Sequence, residues 1–292
     1  MANTITLKAL AKINLGLDVL GKRENGYHDV RMVMQTIYLY DNVTLTKMEE
    51  EGILLECNLQ YLPTDATNIA YKAAKLLMDE FDIKAGVHIV LDKHIPVAAG
   101  LAGGSSNAAA VLVGMNRMFK LGLSQEELMK RGVLLGADVP YCIMRGTVLA
   151  EGIGEILTPL PMLPKCFVLI AKPGISVSTK TVYEKLDSQE IETHPDIDGI
   201  LEGLECQDIK KIASSMGNVL ENVTIEQYPI IETIKKVMME NGALNSMMSG
   251  SGPTVFGIFE DRQSAKEAQR KIREKHIAKQ VYVANVHNVR RK

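Results

Sequence analysis

Glycines set between two unlike periodicities constrain this chain more than any other feature. Upstream, Val87, Ile89 and Leu91 recur at the two-residue period of a strand. Downstream, residues 107–119 (Asn107 to Phe119) are alanine-rich at their start and helical in period. Between them runs Pro96-Val97-Ala98-Ala99-Gly100-Leu101-Ala102-Gly103-Gly104-Ser105-Ser106. A strand that enters such a loop and a helix that leaves it form a cradle for an anion. Glycines let backbone N–H groups approach closely, and the helix N-terminus adds unpaired donors and the positive end of its dipole. The two serines add hydroxyls for a phosphate or a magnesium ion. No lysine follows the glycines, as a Walker A loop requires. The spacing is not that of a dinucleotide-binding fingerprint either. From these residues alone, a triphosphate loop and a Gly/Ser connection with a capping serine both remain open.

The rest of the chain mixes both periods in α+β fashion. Lys12, Asn14, Gly16 and Asp18 fall on one face of a first strand; Ile13, Leu15, Leu17 and Val19 fall on the other. Residues 24–27 form a turn. Strands are expected over Met32 to Tyr40, Val43 to Lys47 and Ile53 to Cys57, and a helix over Asn68 to Phe81. Ser124 with Glu127 is a capping-box signature, for a helix ending near Gly136. Three prolines (Pro159, Pro161, Pro164) mark a boundary, giving domains of 1–160 and 161–292. Beyond it come a strand over Phe167 to Ala171 and a helix over Thr179 to Leu186. The acidic stretch 187–205 is expected to be irregular and flexible. Helices near 208–220 and 229–240 follow, then a strand at Val255 to Phe259, a helix capped by Ser264 and a strand at Val281 to Val286.

Composition narrows the class. Among 292 residues, 46% are hydrophobic and 23% charged, enough apolar matter for a sizeable core. The net charge of −2 gives no basic excess for nucleic acid or an anionic membrane, and the basic end, Arg290-Arg291-Lys292, reads as a solvated tail. The N-terminus lacks a basic region followed by an apolar run, and no 18 apolar residues are consecutive. The expectation is a cytoplasmic protein, monomer or homodimer. Four scattered cysteines without C-x-x-C argue for buried free thiols over zinc or disulfides.

Several residues carry chemistry. Asp138, in Gly136-Ala137-Asp138-Val139-Pro140, is placed to act as a general base or, more blandly, to cap a turn. Lys12 is either a charge stabiliser for a transferred phosphoryl group or a solvated strand lysine. Tyr27 and His28 pair an aromatic ring with an imidazole, suited to stacking on a base and reading its edge, or to a plain hairpin surface.

Three of these segments together resemble the galactokinase, homoserine kinase, mevalonate kinase and phosphomevalonate kinase superfamily. They are Ala11-Lys12-Ile13-Asn14-Leu15, the glycine loop, and Gly136-Ala137-Asp138-Val139-Pro140, in that order. The Gly103-Gly104-Ser105-Ser106-Asn107-Ala108-Ala109 form resembles the branch that phosphorylates the 2-hydroxyl of a polyol bearing cytidine diphosphate, in the non-mevalonate route to isoprenoid precursors. The resemblance implies the two-domain GHMP-kinase fold, an N-terminal domain like ribosomal protein S5 domain 2 and a ferredoxin-like C-terminal domain. It implies ATP as co-substrate with Mg²⁺, whose protein ligands remain unknown, and Lys12 and Asp138 as the catalytic pair. Pro96 to Ser106 would hold ATP phosphates, with Asn68, Ile69 and Lys93 near the adenine. Tyr27, His28, Tyr183, Asn14 and Thr179 would hold the substrate. Met248 to Phe256 resembles a supporting C-terminal glycine motif. Some relatives have glycine where this chain has Ala98, Ala99 and Ala102, which implies a slightly stiffer loop. Another kinase of the superfamily, its related decarboxylase, and a non-catalytic ATP-binding regulator are the competing readings.

Overall fold

The computed structural model describes residues 3–189 and 191–290; Met1, Ala2, Glu190 and the terminal Arg291 and Lys292 of the expected basic tail lie outside the described residues. Contacts group the chain into two compact units. The first is Met1–Ala11, Leu39–Val97 and Ala102–Met144; the second is Lys12–Tyr38, Ala98–Leu101 and Arg145–Lys292. Two long strands, β1 (Thr4–Lys22) and β2 (His28–Met48), contribute to both.

The first unit adds β3 (Ile53–Cys57), α1 (Ile69–Glu80), β4 (Gly86–Asp92), α2 (Gly103–Phe119), α3 (Gln125–Val133) and α4 (Val139–Met144). β4 pairs in parallel with β3 and antiparallel with the second half of β2, Val43 opposite Leu91 and Leu45 opposite Ile89. α1 presents Ala70, Ala73, Ala74, Leu77 and Met78 at helical spacing and buries that stripe, packing on α2. Asn68 caps α1 and Ser124 closes a full capping box on α3, as the sequence predicts.

The second unit adds β5 (Thr147–Glu151), β6 (Ile156–Pro159), β7 (Phe167–Lys172), α5 (Thr179–Leu186), α6 (Ile197–Glu205), α7 (Ile209–Ser215) and β8 (Gly217–Asn218). It closes with α8 (Glu221–Gln227), α9 (Ile230–Glu240), β9 (Asn245–Met248), β10 (Val255–Phe259), α10 (Arg262–Glu274) and β11 (Gln280–Asn285). Its antiparallel sheet has the order β11-β7-β10-β9, a ferredoxin-like arrangement when α9 and α10 are taken as the crossovers. In the same unit the first half of β2 pairs with β5, β5 with β6, and the later part of β1 with β8 in parallel.

Several expectations need correction. The two strands expected from Met32 to Lys47 are one strand, β2. α2 starts at Gly103, not Asn107, so its first turn is made of the loop's own glycines and serines. α3 ends at Val133, short of Gly136. The acidic 187–205 stretch is not irregular throughout. Asp196 accepts a hydrogen bond from the Gly199 N–H and starts α6, whose Ile197, Ile200 and Leu204 are buried. The helix expected near 208–220 breaks into α7 and the short β8, and α8 begins just beyond it at Glu221. The N-cap of α10 is Asp261, with Ser264 donating to its carboxylate. The thiols are free as expected, but only Cys142 and Cys166 are buried; Cys206 is exposed.

Candidate active site

The phosphate-loop candidates form a turn with alternating backbone hand at the head of α2. Ala98, Gly100 and Ala102 have φ of +49°, +71° and +54°, so every second residue in this stretch is left-handed. Such turns expose successive backbone N–H groups. Ala102 precedes α2 and supplies no side-chain cap, which leaves the N–H groups of Gly103, Gly104 and Ser105 available at the positive end of a 17-residue helix. The Ser106 hydroxyl is already used, donating to the Leu10 carbonyl at 2.7 Å. Ser105 makes no such bond among the described residues and is half-buried. Pro96, Ala99 and Leu101 are buried, Val97 half-buried and Ala98 exposed.

Within the first unit the loop helix is held from beneath. Asp41, fully buried, accepts from the His94 and Ile95 N–H groups at 2.7 and 2.8 Å with one oxygen. Its other oxygen takes the Lys93 ammonium at 2.5 Å and the Asn107 amide at 2.9 Å. Lys93 also donates to the Asn107 carbonyl oxygen at 2.7 Å. Lys93 therefore sits in a satisfied polar network rather than extended into solvent. Asp41 carried no sequence signal of its own, being 52 residues from Lys93.

Asp138 directly precedes α4. Its backbone carbonyl accepts from the Cys142 N–H at 3.0 Å, and its neighbours Val139 and Pro140 are buried, while its side chain is half-buried. Pro140 falls in the first turn of α4, where its missing N–H costs nothing. Ile69 links this turn to the start of α2. Built onto the two glycines, a Cβ at Gly136 would lie 3.6 Å from Ile69 Cδ1, and one at Gly104 would lie 3.7 Å from Ile69 Cγ2. The predicted adenine contact, the first turn of α2 and the Asp138 turn are thus neighbours. Asn68 is occupied, its carbonyl oxygen capping Ala70 N–H and its amide donating to the Pro63 carbonyl.

The second unit holds the other candidates. Lys12 is 5% exposed and donates to Asn14 Oδ1 at 2.7 Å; Asn14 in turn contacts the Met32 sulfur. The strand's polar face is as buried as its apolar one, so the solvated-lysine reading fails. Among the described residues no carboxylate pairs with Lys12. A buried ammonium without a counter-ion is expensive, and an incoming anion is the group that would offset it. The Lys12 N–H donates to the Leu101 carbonyl at 3.2 Å. Alongside, Ser249 Oγ donates to the Gly100 carbonyl at 2.9 Å, and Asn218 donates to the Met248 and Gly250 carbonyls. The Met248–Phe256 motif thus braces the glycine turn.

Further along, His28 Nε2 lies 2.6 Å from Asp187 Oδ1, and Lys22 Nζ lies 2.7 Å from Asp187 Oδ2. The Lys22 ammonium, then the His28 ring, hold the Asp187 carboxyl below the usual carboxylate range. Tyr183, on α5, packs its ring on His28 with centroids 4.7 Å apart. Lys22, His28 and Asp187 border a cavity of about 330 Å³ also lined by Val19, Leu186 and His194. Tyr27 is 59% exposed, its N–H taken by Asn25 Oδ1. Thr179, the first residue of α5, shares a 2.7 Å hydroxyl contact with Ser251. Sequence reasoning missed Asp187, which lies 159 residues from the ring it bonds. No cluster of three or more His, Cys, Asp or Glu is placed to hold a metal among the described residues, and no helix there is long and apolar enough to cross a membrane.

Comparison with known proteins agrees with this geometry. The profile of the "GHMP kinases N terminal domain" matches residues 68–146, and that of "GHMP kinases C terminal" matches residues 190–278. The chain is 59% identical to a protein of Lachnospira eligens named 4-diphosphocytidyl-2-C-methyl-D-erythritol kinase, over 96% of this chain and 97% of the other. It is 49% identical to the Clostridium perfringens protein of the same name, over 97% and 98%. A crystal structure of 4-(cytidine 5'-diphospho)-2C-methyl-D-erythritol kinase superposes with a TM-score of 0.83 at 29% identity, covering 98% of this chain and all of that one. The fold alone is shared with homoserine kinase from Cytophaga hutchinsonii, at a TM-score of 0.82 and 22% identity. With its glycine loop, its buried lysine and its two matching domains, this two-domain α+β chain belongs to the GHMP kinases.

Proposed function

We propose that this chain is an ATP-dependent kinase acting on the 2-hydroxyl of 4-diphosphocytidyl-2-C-methyl-D-erythritol, a step of the non-mevalonate route to isoprenoid precursors. The observation that carries the phosphoryl-transfer reading is Lys12, an ammonium 5% exposed with an amide as its partner and no carboxylate among the described residues. The named relatives at 59% and 49% identity over nearly the whole chain favour this substrate over homoserine or mevalonate.

In the proposed step the substrate hydroxyl oxygen attacks the γ-phosphorus in line, and the bond from that phosphorus to the ADP oxygen breaks. The hydroxyl proton passes to the Asp138 carboxylate, and Lys12 neutralises charge on the transferring group. Residues 96–106 bind the ATP phosphates through the α2 N-terminus. Ile69 and Asn68 border the adenine, with Lys93 supporting the loop from below. Tyr27, His28 and Tyr183 take the cytosine, while Asn14 and Thr179 line the substrate path. A bound magnesium ion would supply charge neutralisation on the phosphates. A Mg²⁺ ion takes few protein ligands and much phosphate oxygen, which fits the lack of a metal-holding cluster of His, Cys, Asp and Glu among the described residues, and the Ser105 hydroxyl is the loop atom suited to it. Residues 1–160 would carry the nucleotide loop and 161–292 the ferredoxin-like part, in a cytoplasmic monomer or homodimer.

The test is ADP release coupled to 4-diphosphocytidyl-2-C-methyl-D-erythritol, with Mg²⁺ and ATP. Substrate-dependent ADP that falls at least ~10²-fold in Asp138→Ala supports the reaction and the base. Near-wild-type turnover in that variant would remove Asp138 from the chemistry. Phosphorylation of homoserine or mevalonate instead would leave the fold and replace the substrate.

A further inference from the structure

We infer that Asp187 is a positioning residue that fixes the proton of His28 on Nε2, so that the ring offers a pyrimidine a bare acceptor, Nδ1, and selects an amino group over a carbonyl. The inference rests on the reading above that His28 faces the base.

A carboxylate can only accept. With Asp187 Oδ1 2.6 Å from His28 Nε2, the shared hydrogen belongs to the ring nitrogen. Lys22, 2.7 Å from the other carboxylate oxygen, keeps Asp187 anionic. The imidazole side chain is only 9% exposed, and the Tyr183 ring, inclined 39° to it, restrains its plane. Nδ1 has no hydrogen-bond partner among the described residues. A neutral ring protonated on Nε2 carries an in-plane lone pair on Nδ1. The 4-amino group of cytosine donates to such a lone pair. Uracil presents a carbonyl lone pair at the same place and is repelled. Specificity thus comes from a residue that need not touch the base.

Asn at position 187 reverses the pattern. Its amide N–H₂ can donate to Nε2, which allows the proton to move to Nδ1, where it suits a 4-oxo pyrimidine. Glu keeps an acceptor and is the conservative control. Asp187 is itself partly exposed, its side chain 23% accessible, so both variants are expected to fold, as thermal melts would confirm.

The first arm is two-bond ¹H–¹⁵N correlation of uniformly labelled protein at pH 7.5, with the His28 signals assigned by their loss in His28→Gln. The expected pattern is the Nε2-protonated tautomer in wild type and Asp187→Glu, and loss of it in Asp187→Asn. An Nδ1-protonated ring or a doubly protonated ring in wild type overturns the inference. So does an unchanged ring in Asp187→Asn. This arm needs no substrate, so it stands even if the proposed kinase reaction fails. The second arm compares kcat/KM for the cytidine substrate and its uridine counterpart. Asp187→Asn should raise KM for the cytidine substrate at least ~10-fold with kcat within ~3-fold, and shrink the cytidine preference by ~10². A fall in kcat alone, or an unchanged preference, overturns the specificity role. Absence of any wild-type turnover with the cytidine substrate would overturn the function proposed above and, with it, the base-reading half of this inference.

Discussion

Gly100 is the residue at which one added methyl group would do most harm. A Cβ there would lie 2.0 Å from the Ser249 carbonyl oxygen, and the backbone already stands at φ +71°. The left-handed penalty of ~1–2 kcal/mol adds to a clash with backbone that has no rotamer to relieve it. Gly100→Ala is expected to lose more than ~2 kcal/mol in urea unfolding. Ala98 and Ala102 already carry Cβ atoms at positive φ. Ala102→Gly relieves that strain but adds unfolded-chain entropy of ~0.5–1 kcal/mol, so its net gain in stability should stay below ~1 kcal/mol. The thiols divide more sharply. Burial pushes Cys166 up to about 12, far above its ordinary 9.0, while Cys206 is exposed. Native protein at pH 8 should therefore react with iodoacetamide at Cys206 first and leave Cys166 unlabelled until it unfolds, as peptide mapping would show. The sign for stability follows. The buried thiol keeps its proton where the unfolded one loses it, so this group costs nothing below pH 9 and progressively destabilises the fold as pH rises from 9 toward 12. At this scale the sequence made Lys12 visible through its motif but misjudged its surroundings. Alternation along β1 separates two faces, yet both are buried from Ala9 to Val19. On one side α6 closes over the strand: a Cβ at Gly16 would fall 2.5 Å from the Ile197 side chain.

Elements were legible where a local signal fixed them and not where a distant partner did. α1 and α5 lie within a residue of their expected ranges, and α3 starts where its capping box puts it, because these caps and stripes are local. α6 was hidden because its three buried aliphatic residues sit among acidic ones that hydropathy reads as solvated. β5, β6 and β9 carried no expectation, and β8 interrupts a stretch expected to be helical. β8 is two residues long and β6 is mostly exposed, so pairing rather than composition defines them. α2 started early because Gly103 and Gly104, poor helix formers by propensity, are positioned by what lies under them. A Cβ on Gly103 would lie 3.1 Å from Ile95 and 3.4 Å from Lys93 Nζ. The Asp41–Lys93–Asn107 network is the element-scale device here, joining the chain leaving β4 to the first turns of α2. Asp41→Ala would leave a buried ammonium and two backbone N–H groups without their carboxylate. Breaking such a pair costs about 3–5 kcal/mol, a shift readable in chemical denaturation. Asp41→Asn should cost less, since an amide oxygen still accepts. Equal losses in both would mean that the charge is irrelevant and that shape alone matters.

The whole molecule follows from the path of the chain. It passes between the two compact units at 11/12, 38/39, 97/98, 101/102 and 144/145. The first two passages lie inside β1 and β2, where a strand belongs in part to each unit. The next two isolate Ala98–Leu101, the four residues that open the glycine turn. Neither unit is therefore a contiguous segment, and unfolding one removes strand residues that continue covalently into the other. Chains of this length commonly unfold domain by domain, so a cooperative transition is a specific claim. We expect one calorimetric transition, with the van't Hoff enthalpy close to the calorimetric one. Asp41→Ala in the first unit and Gly100→Ala in the second should each lower its midpoint without splitting it. Two resolved transitions, or a variant that melts one unit and leaves the other at its wild-type midpoint, would show that the shared strands do not transmit the loss. The same path sets the short motifs apart from the units that carry them. Motifs at residues 11–15, 96–109 and 136–140 are short and local, whereas the units that present them are assembled from stretches scattered along the chain.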